Sequence, residues 1–175
     1  YGGGTKNGPK SIIEASQQLE LFGGISTPSD KGIYTHESLN CKQSIENVLG
    51  DIQKQVSAVF SKGKIPVLLG GEHTVSIGAF NAISEMNSDI GIIQFDAHAD
   101  LRDTYEENKY SHACVMKRAF DNNIPFLQIG VRSLSESEQK FRAENSIQYI
   151  DAHKLLSRGV IEDLVPEDFP KQVYI

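Results

Sequence analysis

The segment Asp96-Ala97-His98-Ala99-Asp100 puts two carboxylates and an imidazole on alternate residues, directly after the apolar run Ile90 to Phe95. Side chains alternate in extended backbone, so Asp96, His98 and Asp100 are expected to face the same way. Burying three such groups together is costly without a cation. With one or two divalent metals among them, that penalty turns into binding energy. A solvated turn after a strand is the bland alternative, and it leaves three like-facing polar groups unexplained. A second cluster, Gly70-Gly71-Glu72-His73-Thr74, follows the apolar run Ile65 to Leu69. Its paired glycines let backbone approach closely. His73 is expected to complete a metal site with Asp96 and Asp100; alone, it would read as a helix-start histidine beside the cap Thr74.

These clusters need elements to hold them. Ile65 to Leu69 and Ile90 to Phe95 are short and apolar and read as strands buried on both faces, the kind found in parallel sheets. Phe126 to Ile129, Ile147 to Ile150 and Val173 to Ile175 repeat the pattern, and a short strand near Ile33-Tyr34 is also expected. Between them lie helical stretches: Lys10 to Leu21, Ile45 to Phe60, Thr74 to Met86, Cys114 to Asn122 and Ser135 to Asn145. Asn40 with Gln43 is expected to cap the second of these, with Gly63 just past its end. Ser135 with Glu138 forms a capping box for the last. Alternation of this kind predicts an α/β fold, three layers α/β/α around a mostly parallel sheet. Ligands of such sheets bind at the carboxyl ends of the strands, where both clusters lie. A right-handed crossover is expected to bring the two strand tips together.

Composition narrows the function. The 175 residues are in the range of one domain, read as a single domain over 1–175. Seventeen basic against 23 acidic residues give a net charge of −6, which disfavours a nucleic-acid or anionic-membrane partner and mildly suits a cationic substrate. No apolar run approaches the ~18 residues of a membrane span. Cys41 and Cys114 form no Cys-x-x-Cys pair, so a reduced, cytoplasmic protein is expected, with Cys114 a buried apolar residue on a helix. His36 and His153 have no ligand-like neighbours in sequence. Glu72 reads equally as a group orienting a ligand and as a helix-start charge.

Gly70-Gly71-Glu72-His73, then Asp96-Ala97-His98-Ala99-Asp100, then Tyr110-Ser111-His112 resembles the arginase and agmatinase family of ureohydrolases. Gly8-Pro9 with its following helix, and Gly130-Val131-Arg132-Ser133, fit the same family, so the similarity spans almost the whole chain. The stretch from Asp96 to Met116 is most similar to the agmatinase branch. The resemblance implies the arginase-like fold and two manganese ions, Mn2+, with His73 on one and His98 on the other. It implies that Asp96 and Asp100 serve both, and that His112 is the proton shuttle. Two further aspartates of the family follow a later strand, to which Val173-Tyr174-Ile175 resembles the lead-in, so the chain is expected to be part of a longer one. The resemblance also implies a homo-trimer or homo-hexamer.

The implied chemistry explains the residue types. A guanidinium is resonance-stabilised and cationic, so its carbon is a poor electrophile for neutral water. Paired divalent cations lower the pKa of bound water and yield a nucleophile near neutral pH. Oxygen and nitrogen donors in a carboxylate-rich set suit manganese better than thiolates would. The leaving amine needs a proton, and His is suited to supply one near pH 7. The expected reaction is agmatine plus water to putrescine plus urea. Arginase, guanidinobutyrase or formiminoglutamase activity is the alternative within the class; a truncated non-catalytic paralogue acting in assembly is the alternative outside it. Asp103, Glu106 or Glu107 is a candidate to face the far, cationic end of the substrate, although an exposed charged loop explains them as well.

Overall fold

The computed structural model of the chain describes residues 3–86, 89–158 and 164–175. Tyr1 and Gly2 of the opening Gly-rich run lie outside the described residues. Four strands pair in parallel: β1 (Ile90–Phe95), β2 (Phe126–Ile129), β3 (Gln148–Ile150) and β4 (Gln172–Tyr174), in the order β3-β2-β1-β4. The helices are α1 (Gly8–Ser16), α2 (Ile45–Phe60), α3 (Ser76–Glu85), α4 (Val115–Asp121), α5 (Glu136–Glu144) and α6 (Ala152–Arg158). No described helix is long and apolar enough to cross a membrane.

Alternation along the strands separates two faces. Ile90, Ile92 and Phe126 enter the larger core with Leu49 of α2, Ile77 and Phe80 of α3, and Val115, Met116 and Ala119 of α4. Ile93, Leu127 and Ile129 point the other way, onto Phe169 and Leu155. Apolar cover on both faces is why these strands read as continuous hydrophobic runs. Valine and isoleucine at helical spacing on α2 pack against Ala79 and Ala82 of α3. Contact there is close enough that a Cβ on Gly78 would meet the Ile52 side chain at 2.6 Å.

Several boundaries differ from expectation. The run Ile65 to Leu69 forms no strand and pairs with no described strand, and Ile65 and Val67 are 89% and 80% exposed. Both edges of β1 are already taken, by β2 and β4, so no ladder is open to it there. No strand forms at Ile33-Tyr34. Helix α1 begins at Gly8, ends at Ser16, and buries none of its residues, which explains its early end. Ser44, not Asn40, caps α2, accepting from the Asn47 N–H, while Asn40 closes a turn onto the Lys42 N–H. The helices after His73 and His112 each open with a 3-10 turn, His73–Val75 and His112–Cys114. Helix α6 had no counterpart in the sequence reading.

Candidate metal centre

His73 owes its position to a short, heavily tied turn. Glu72 accepts the Thr74 backbone N–H at 3.2 Å. The buried Thr74 hydroxyl lies 2.9 Å from Glu72 Oε1 and 2.8 Å from the Tyr110 carbonyl, with one proton to share between them. A Cβ on Gly71 would strike the Thr5 carbonyl, so glycine is required where the amino-terminal segment crosses. A cleft of about 300 Å³ opens beside this turn, lined by Leu68, Gly70, Gly71, Glu72, His73, Val75 and Ser76.

Beyond Phe95 the backbone leaves strand geometry. Asp100 adopts a left-handed conformation, φ 52°, which Asp tolerates better than most residues. Its carbonyl accepts the Met116 N–H at 2.9 Å and the Lys117 N–H at 3.2 Å, and the next N–H, of Leu101, donates to buried Glu138 at 3.1 Å. These bonds turn the Asp100 side chain back toward His73, with Asp100 Oδ2 2.7 Å from His73 Nδ1. Asp96 Oδ2 lies 3.5 Å from the same nitrogen, and Asp96 Oδ1 accepts the His98 N–H at 2.9 Å.

His73, Asp96 and Asp100 thus offer ligand atoms all within 4.8 Å of one another. Asp96 and Asp100 both meet His73, and His98 stays beside Asp96. The His98 side chain is 63% exposed at the rim, its Nδ1 3.5 Å from Asp96 Oδ1. His112 stands on the other side, Nδ1 3.2 Å from Ser111 Oγ and 3.7 Å from Glu72 Oε1, with its ring edge-on to Tyr105. Burial works against a charge on His73, but the hydrogen bond to Asp100 and the charges of Asp100, Asp96 and Glu72 outweigh it and raise the pKa above 6.5. A donor set of carboxylates and imidazole that draws positive charge this way fits a hard divalent cation.

A model of the arginase family matches residues 1–175. The chain belongs to the arginase family. Its parallel sheet with flanking helices is that family's fold, and an agmatine ureohydrolase of Thermoplasma volcanium superposes with a TM-score of 0.82 at 30% identity, covering 98% of this chain and 59% of that one. An N(1)-aminopropylagmatine ureohydrolase of Synechocystis sp. is 32% identical over 164 residues, 89% of this chain and 54% of that protein. An agmatinase of Pyrococcus horikoshii is 31% identical over 185 aligned positions, 100% of this chain and 61% of that protein. The arginase-family chain therefore spans little more than half the length of these relatives.

Asp103 is engaged elsewhere: Arg118 holds its carboxylate at 2.6 Å and, with Lys117, keeps its pKa low. Glu106 and Glu107 are exposed with positive φ. Sequence reasoning passed over Gln94, Gln128 and Arg142, and saw Glu138 only as a helix cap. The available signal was a glutamine one residue before the end of each of two otherwise apolar strands, in Ile-Ile-Gln-Phe and Phe-Leu-Gln-Ile.

Proposed function

We propose that this arginase-family protein hydrolyses the guanidino group of agmatine to urea and putrescine, using two manganese ions. Residues 1–175 would form one unit of that catalytic domain, in a homo-trimer or homo-hexamer. The observation that carries the reading is the convergence of His73, Asp96 and Asp100 within 4.8 Å at the carboxyl end of β1. These three would hold metal, with His98 reaching the second ion from the rim. Bound there, the cations would supply a nucleophile from water near neutral pH.

The chain's own groups would do the rest. The carboxylates of Asp96 and Asp100 offset the cations' charge, so a guanidinium is not repelled. His112, within reach of Ser111 Oγ, would pass a proton to the departing amine. Hydrolysis of N(1)-aminopropylagmatine is a second reading, favoured by the likeness to the Synechocystis N(1)-aminopropylagmatine ureohydrolase.

The test is product release with Mn2+ from agmatine, N(1)-aminopropylagmatine, arginine, guanidinobutyrate and formiminoglutamate. Highest kcat/KM on agmatine supports the first reading, and highest on its aminopropyl derivative supports the second. Turnover of arginine alone, or of none, contradicts both.

A further inference from the structure

Gln94 and Gln128 are register partners on β1 and β2, and both are buried on the face that carries Ile92 and Phe126. Over them lies Arg142 of α5, only 1% exposed. Its Nη1 pairs with Asp151 at 3.0 Å, and its Nε donates to Gln128 Oε1 at 2.9 Å. That bond fixes which way the Gln128 amide faces, since a guanidinium can only donate. Gln128 Nε2 must then donate onward, to Gln94 Oε1 and to the Ala99 carbonyl at 2.7 Å. With its oxygen occupied, Gln94 turns its Nε2 toward Asp96 Oδ2 and the His98 carbonyl, each at 3.4 Å. The chain of amides runs from a group that only donates to a carboxylate that only accepts, so its polarity is determined throughout.

We propose that Arg142, acting through Gln128 and Gln94, is a positioning residue that orients the Asp96 carboxylate for metal binding; the inference rests on the metal reading of the site. Stability alone does not account for the arrangement. A buried ion pair is on average no more stabilising than apolar residues of the same volume. Here one buried guanidinium nitrogen, Arg142 Nη2, also finds no acceptor among the described residues. What the network does achieve is directional: three of its donated bonds end on Asp96, His98 and Ala99, inside the metal-binding loop. The same helix holds the far end of that loop through Glu138, one turn earlier, on the Leu101 N–H. Gln94 and Gln128 are thus aligned by Arg142 and, in turn, align a ligand.

The experiment is a titration of the purified metal-free protein with Mn2+ alone, followed by the electron paramagnetic resonance of the free ion, with thermal melts of the same samples. Gln94→Met removes the donor to Asp96, fills the space with an unbranched chain, and leaves Gln128 bonded to Arg142 and Ala99. It should weaken Mn2+ binding about tenfold or more, as loss of groups that orient metal ligands commonly does. Retained affinity, within about threefold of the parent while the parent binds, overturns the inference and leaves the proposed function standing. If Gln94→Met does not fold, Gln128→Glu decides by the same criterion. It gives Arg142 a carboxylate partner, but it gives up the bond to the Ala99 carbonyl and turns the Gln94 amide over, so that its oxygen faces Asp96. A parent protein that takes up no Mn2+ sinks the metal reading and this inference together.

Discussion

At the scale of residues, His73 is the group whose protonation is most revealing. Its raised pKa reflects carboxylate neighbours prevailing over burial. The sign follows from linkage: a charge favoured in the folded state stabilises the metal-free protein fully below the ordinary 6.5, and that contribution is lost as pH rises through the raised value. Metal requires the neutral ring, so affinity for Mn2+ should climb over the same window. The melting temperature of the metal-free parent should therefore exceed that of His73→Gln by a margin that narrows as pH increases above 6.5. A margin independent of pH would contradict this account of His73. His98 stays beside Asp96 and His112 beside Glu72, and those pairings are not legible in the sequence. Residue types could be recognised there, but the left-handed turn at Asp100, which decides what converges, depends on the Leu101 N–H reaching the distant Glu138 carboxylate and on the Met116 and Lys117 N–H groups reaching the Asp100 carbonyl.

Elements were readable where local signals and tertiary partners agree. Strands β1 and β2 are apolar runs with cover on both faces, and α5 announces its start with the Ser135–Glu138 capping box. The run Ile65 to Leu69 carries the same local signal and forms no strand, because a strand needs a partner paired along its backbone and composition does not report one. The glutamine pair is not legible in the sequence for a related reason: Gln94 and Gln128 meet across 34 residues of sequence. Packing also reverses a local rule in α3. In an exposed helix Gly→Ala stabilises by roughly 1 kcal/mol. At Gly78 the new Cβ would meet Ile52 at 2.6 Å and the Leu49 carbonyl at 2.8 Å. Overpacking of a core typically costs about 1–3 kcal/mol, so Gly78→Ala should lose about 1–2 kcal/mol in denaturant titrations. A gain in stability would show that α2 and α3 are not held this closely.

Across the whole molecule, charge and fold are matched to the proposed substrate. The net charge of −6 over these 175 residues would draw a cationic guanidino compound toward a centre that is itself rich in carboxylates. Screening should weaken that attraction, so kcat/KM for agmatine should fall as sodium chloride is raised, with most of the change in KM. A flat salt series would remove steering from the account. The sheet places the Asp96–Asp100 loop at the carboxyl end of β1 and the His73 turn beside it, although the strand expected to deliver that turn is not part of the sheet. The most direct test of the central claim is a crystal of the protein grown with Mn2+ and measured at the manganese absorption edge. The account predicts anomalous density within coordination distance of His73, Asp96 and Asp100 together. Manganese bound elsewhere, with those three side chains left in contact only with one another, would contradict it.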